Sequence, residues 1–275
     1  MPGRKTAKRV LKALRFGRER SIHSSARLQI SERANMVRGV IVLGRNSSLV
    51  VKAGATIDSD VTIGDNCEVV FGENSRLTNA SFQVKNGATV SIGESTIIDS
   101  PVPPRSSIMV DDGTLRLAER VHIMSTELLV RFGGQLAIGK YTGIAYGSEI
   151  RCEERIDIGS YNMISYRVCI YDTNTHSTDW RERRRRIEHC FPEGVYELEK
   201  PSTRPVSIGD DVWIGQEVTI TKGARIGNRC IVGIRTTLGS GLIEDDVVIV
   251  AAKPRMITKR KLQTKQDNET IDLNA

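Results

Sequence analysis

The stretch from Val206 to Leu242, VSIGDDVWIGQEVTITKGARIGNRCIVGIRTTLGSGL, decides the fold. Every sixth residue from Ile208 is aliphatic: Ile208, Ile214, Ile220, Ile226, Val232 and Leu238. Four positions after each stand Val212, Val218, Ala224, Cys230, Thr236 and Leu242, all small or apolar. A strand has period 2 and a helix 3.6, so a strict period of six belongs to neither and marks a parallel β-solenoid of six-residue units. Three units close one triangular coil, and each aliphatic points inward onto its counterpart one coil away, Ile208 on Ile226 for instance. Glycine follows the aliphatic at Gly209, Gly215, Gly227, Gly233 and Gly239, where a corner demands backbone freedom.

Working back along the chain, the period recurs at Ile158, Ile164 and Ile170, at Ile138, Ile144 and Ile150, and in worn form from about Val37. Spacings of eight, from Leu49 to Ile57 and from Val84 to Ile92, predict corners with two extra residues. Pro101, Pro103 and Pro104 predict a loop, because proline donates no ladder hydrogen bond. Six places after Ile170 comes His176, a histidine where an aliphatic is due. From there to Pro205 the repeat vanishes into a charged, proline-containing segment. It reads as a loop, 177–205, thrown out of the solenoid, and Arg181, Arg183, Arg184, Arg185 and Arg186 on it face either solvent or an anionic ligand.

Composition sets outer limits. Aromatic residues make up only 5% of the chain, as suits a core of Ile, Val and Leu in tight corners. No apolar run approaches the length of a spanning helix. Five cysteines without short paired spacing suggest neither a disulfide framework nor a metal motif, and a reducing cytoplasm is the expected compartment. The net charge of +7 is carried by residues 1–20, which hold eight Lys or Arg and one acid. There Ala7, Val10, Leu11 and Leu14 lie at helical spacing, so residues 4–20 read as a basic helix, either solvated or lying on the inner face of a membrane. Nothing points to nucleic acid. The chain thus divides into a basic extension (1–36), a β-solenoid (37–258) and a polar tail (259–275).

The run RPVSIGDDVWIGQEVTITKGARIGN (204–228), followed by IVAAKPRMITKR (249–260), resembles the C-terminal part of the hexapeptide-repeat acyltransferases, which include galactoside, maltose, serine and polysaccharide O-acetyltransferases. The resemblance implies an all-β, left-handed parallel β-helix, an exception to the usual right-handed crossover. It also implies acetyl-CoA as acyl donor, a carbohydrate acceptor, and a homotrimer with active sites between subunits. The segment YDTNTHSTD (171–179) resembles the histidine-bearing loop of the polysaccharide branch, which assigns the general base to His176. Imidazole suits that role at neutral pH. Asp172 or Asp179 would hold its second nitrogen, and Asn174 or a backbone N–H would donate to the oxyanion. The coenzyme would lie along Trp213, Gly215, Gly233 and Lys253, with Arg235, Arg255 and Lys259 near its phosphates. One departure stands out: the family's closing Gly-Asn-Pro is Ala252-Lys253-Pro254 here.

Three other readings remain open. An N-acetyltransferase of an amino sugar would keep the fold and the base. A non-catalytic β-helix scaffold would leave His176 an ordinary loop residue. A metal-dependent hexapeptide-repeat carbonic anhydrase would need His122, His176 and His189 to converge, and their spacing does not favour it.

Overall fold

The computed structural model describes residues 20–193 and 199–251. The basic extension up to residue 19, the C-terminal tail, and with them Lys253, Arg255 and Lys259, lie outside the described residues.

Short strands stack in parallel on three faces of a prism. The first face is a ladder of ten strands, and in its C-terminal part Arg155–Ile158 pairs with Val206–Ile208, which pairs with Ala224–Ile226. Met163–Ile164, Trp213–Ile214 and Ile231–Val232 belong to the second face, and Glu149–Cys152, Cys169–Tyr171 and Thr219–Ile220 to the third. These two faces join into one 18-stranded sheet, because Thr56–Ile63 and Arg76–Lys85 run through the corner and serve both. The handedness of the coil rests on the resemblance; the parallel solenoid rests on the pairings.

The register is the one that the six-residue period predicts. Ile208 stacks on Ile226, Ile214 on Val232 and Ile220 on Leu238. All but Leu238 are at most 4% exposed. Each fully buried aliphatic of this kind contributes about 1.5–3 kcal/mol by leaving water. The glycines at the corners are explained by the approach of successive coils: a Cβ on Gly215 would lie 2.9 Å from the backbone nitrogen of Ile234, and one on Gly227 2.7 Å from that of Asp245.

Three features depart from expectation. Among the described residues the ladder begins at Arg20–Ile22, not near Val37, and Leu28, Ile30 and Met36 already pack on the core. A first coil has a neighbour on one side only, so its inward residues are half-exposed and its period is faint. Coils before the excursion are longer than those after it: Ile150 pairs with Ile170, but Ile208 with Ile226. Part of that extra length goes into the third-face strand, not a corner, and brings a second side chain inward, as with Leu128 and Val130 or Ile150 and Cys152. Finally, the last coil is one residue shorter, so Ile226 pairs with Ile243 and Leu242 turns outward, 58% exposed. A slip of one residue exchanges the two sides of a strand.

The segment 177–205 is not simply a loop. It holds helix α1, Trp180–Glu193. The Oδ1 of Asp179 accepts the Arg181 N–H at 2.8 Å, a helix N-cap, and Glu182 stands three residues on, in capping-box position. Cys190 is its buried anchor, while Ile187 is 56% exposed. Among the described residues no helix is long and apolar enough to cross a membrane.

Candidate functional site

The excursion leaves the solenoid at the corner between the third and first faces and returns to the same corner. Thr173 and Thr203 form an antiparallel bridge across its neck. The Asn174 N–H donates to the Ser202 carbonyl at 3.1 Å, and the Arg204 N–H to the Asp172 carbonyl at 2.8 Å. Departure and return are therefore zipped together, and Ile208 takes the core slot above Ile158 that the period had pointed at position 176.

Asp172 locks this clasp to the prism. It continues the inward column of Val130 and Cys152 and is fully buried. Its Oδ1 accepts the Glu153 N–H, and its Oδ2 accepts those of Glu154 and Arg155, all at 2.8 Å. Burial pushes the Asp172 carboxyl above its usual range, and those three N–H groups work in the opposite direction. Beside it, buried Glu153 accepts the Thr173 hydroxyl at 2.7 Å and pairs with Arg131. A buried carboxylate is tolerable only when its lone pairs are satisfied in this way. The same surroundings push the Cys152 thiol upward, chiefly by burial and then by the charge of Asp172.

Thr175 follows with φ of 63°, a left-handed conformation that a β-branched residue adopts only under constraint. Its N–H donates to the Thr173 hydroxyl at 3.0 Å. This kink turns His176 outward, to the lip of a cleft of about 160 Å³ lined also by Ser177, Glu182, Arg183, Arg186, Glu199 and Lys200. The hydrogen-bond contact of the ring among the described residues is with Arg186, whose Nη1 lies 3.4 Å from Nδ1. The predicted orienting carboxylates are employed elsewhere: Asp172 holds the clasp and Asp179 caps α1. The main-chain N–H of Asn174 is likewise taken by Ser202. Arg186 is the residue beside the ring that sequence reading did not single out from its neighbours. The signal was the Asp179-x-x-Glu182 pattern, which starts a helix and sets Arg183 and Arg186 on one side of it.

The described coenzyme candidates lie elsewhere on the prism. Trp213, 53% exposed, projects from the second face, and Gly215, Gly233 and Arg235 follow at the corner between the second and third faces. Trp213 thus stands on the face opposite the corner that carries His176 of the same chain, and the third face lies between that corner and Arg235. Arg235 donates to Glu217 at 2.7 Å, and Arg167 donates to the other oxygen of that carboxylate. These two bonds, Arg235 first, hold the Glu217 carboxyl down to about 2. His122 also stands on the second face, 3.2 Å from Asp99, away from His176 and His189. Among the described residues no group of three or more His, Cys, Asp or Glu side chains is placed to hold a metal ion. Another cavity, of about 920 Å³, lies in the N-terminal coils, and its charged groups are already engaged: Arg38 with Asp58, Asp60 with the Val40 N–H, Arg105 with the carbonyls of Asn79 and Ala80.

Residues 205–240 match the family described as bacterial transferase hexapeptide (six repeats). Over 112 residues, 41% of this chain and 54% of the relative, the sequence is 30% identical to a putative lipopolysaccharide biosynthesis O-acetyl transferase of Escherichia coli. Over 58 residues, 21% of this chain and 19% of the relative, it is 36% identical to a probable acetyltransferase of Mycobacterium tuberculosis. The chain thus spans about half the length of the first relative and about a fifth of the second. Among solved structures, a hexapeptide-repeat containing acetyltransferase from Vibrio cholerae is 25% identical, with 45% of this chain and 61% of that one covered at a TM-score of 0.35. A polysialic acid O-acetyltransferase is 18% identical, with 92% and 99% covered at 0.47.

Proposed function

We propose that this hexapeptide-repeat chain, related in sequence to acetyltransferases, is an acetyl-CoA-dependent O-acetyltransferase acting on a hydroxyl of a sugar or cell-surface polysaccharide precursor. The observation that carries the reading is His176 itself: a lone imidazole at the lip of a cleft, held out by a strained residue and a clasp anchored in the core. A sugar hydroxyl is a weak nucleophile at neutral pH, and a positioned imidazole speeds its attack by roughly 10²- to 10⁴-fold. In the proposed step, the acceptor oxygen bonds to the thioester carbonyl carbon as its proton passes to His176. The tetrahedral oxyanion then collapses, the carbon–sulfur bond breaks, and the imidazolium returns the proton to the leaving thiolate. The products are an acetyl ester and free coenzyme A, and no cysteine nucleophile is needed.

In this reading the coenzyme arm lies along Trp213, Gly215 and Gly233, with Arg235, Lys253, Arg255 and Lys259 as phosphate partners. Because Trp213 and His176 face different sides of one prism, each site takes its base from one chain and its coenzyme groove from another. A homotrimer supplies that arrangement. The second face fits it: Met163 (70% exposed), Trp213 and Val248 (62%) form one outward row, flanked by the Tyr141–Tyr161 stack and the Tyr146–Tyr166 pair. A contiguous apolar surface of this kind supports that assembly.

The test is acetyl transfer from labelled acetyl-CoA to a glycan panel by the full chain and by His176→Ala. The variant should keep its circular dichroism spectrum and lose at least about 10²-fold in turnover. Unaltered turnover would remove His176 from the chemistry. Mixing His176→Ala with Trp213→Ala chains should restore part of the activity if the site is shared, and none if each chain is self-sufficient.

A further inference from the structure

The cleft beside His176 is lined by more positive than negative groups, and the cations are placed, not scattered. On α1, Arg181 and Arg184 lie over the Trp180 ring, 5.0 and 4.9 Å from its centroid. Arg183 and Arg186, three residues apart and so on one side of the helix, instead line the cleft, and Lys200 joins them from the returning segment. Two carboxylates, Glu182 and Glu199, line it as well, which leaves one net positive charge. Among the described residues each of the three cations makes one side-chain hydrogen bond: Arg183 Nη1 to the Ser177 carbonyl at 2.8 Å, Arg186 Nη1 to His176 Nδ1 at 3.4 Å, and Lys200 Nζ to the Phe132 carbonyl at 3.1 Å. A guanidinium carries five N–H donors and an ammonium three. Each therefore keeps donors to spare at the lining of the cleft that holds the imidazole.

We propose that the acceptor is anionic, its negative group held by Arg183, Arg186 and Lys200 beside His176. The inference rests on the acetyl-transfer reading only for its product; the anion subsite stands on the cleft alone. The Arg186 contact adds a consequence. A guanidinium can only donate, so Nδ1 is the ring atom that would accept in this contact. A carboxylate that draws Arg186 to itself frees Nδ1, the nitrogen able to take a proton. Binding of the correct acceptor and exposure of the base then become one event.

The chemistry recognised is an anionic oxygen group, which a sugar carboxylate or a sugar phosphate supplies and which a coenzyme phosphate also carries. Calorimetric titration of the full chain without coenzyme compares glucuronic acid, glucose 6-phosphate and glucose. The first or second should bind and glucose should not, with the better of the two naming the source. In transfer assays the ratio of kcat/KM for the anionic over the neutral sugar should fall about ten- to a hundredfold in Arg186→Gln and in Arg183→Gln, the worth of one hydrogen bond to a charged group. Arg186→Lys should recover most of that ratio. Equal losses on both sugars would overturn the proposal. So would a loss seen with acetyl-CoA but absent with its 3′-dephospho form, which would give the arginines to the donor. Selective, arginine-dependent binding of the anion without acetyl transfer would sink the enzymatic reading and keep the subsite; transfer without charge preference would do the reverse.

Discussion

Replacing Asp172 by asparagine exchanges one oxygen for an NH2 group at the root of the clasp. The amide oxygen can take the place of Oδ2 and keep the N–H groups of Glu154 and Arg155, which leaves the NH2 pointing at the N–H of Glu153. One buried donor without an acceptor costs about 1–3 kcal/mol. Removing a buried negative charge offsets part of that, so the clasp should lose about 1–2 kcal/mol, which corresponds to a 5- to 30-fold larger open population. Hydrogen exchange at neutral pH reads this directly. The amides of Glu153, Asn174 and Arg204 should exchange about 5- to 30-fold faster, while those of Trp213 and Gly215 in the neighbouring ladder keep their protection. The pH response follows from the direction of the shift. With its folded pKa above the ordinary 3.8, Asp172 contributes stability that is full below 3.8 and lost as pH rises through the folded value, so the wild-type clasp should tighten on mild acidification and the asparagine variant should lack that response. Unchanged exchange at Glu153, or a uniform rise across the solenoid, would refute the assignment of Asp172 as anchor.

Thr175→Gly should relieve a left-handed threonine worth about 1–2 kcal/mol, less the added freedom of the unfolded glycine, and so slow exchange of the Asn174 amide; faster exchange would show that the kink is unstrained. Leu242→Ser should shift stability by no more than about 0.5 kcal/mol, whereas Ile243→Ser, at the inward position above Ile226, should cost about 1 kcal/mol or more in urea denaturation; the opposite order would restore the uninterrupted period. Glu217, held low by Arg235 and Arg167, contributes stability that is present above its ordinary 4.5 and lost as pH falls toward about 2. Glu217→Gln should therefore flatten Tm against pH across that window at low salt, with the difference shrinking as salt is added; parallel curves would show that the triad is inert.

Periodicity carried the reading of the solenoid because each inward aliphatic meets its counterpart one coil on. Where stacking is two-sided, as at Ile214, the sequence repeats strictly; where it is one-sided, as at Leu28 and Met36, the pattern dissolves and the coil leaves little trace in the sequence. Leu242 misled because the period continues past a deletion that only the pairing of Ile226 with Ile243 exposes. Helix α1 reads as loop in the sequence because its surface is polar nearly all round and its capping signal is two residues. His176 was legible as a break in the repeat and as part of a motif. The duty of Asp172 was not: an acid adjoining a motif histidine reads as its partner, and only its place in the column of Val130 and Cys152 shows that it faces the core.

The bridge between Thr173 and Thr203 makes the corner a socket. The chain enters and exits through adjacent pegs, so the tower above and below is indifferent to what is plugged in between them. Exchange of the inserted piece, for one longer, shorter or oppositely charged, would leave every rung of the tower in register while changing what the molecule can grasp. A scaffold so arranged can diversify its clientele by swapping cartridges, with no need to redesign the shaft.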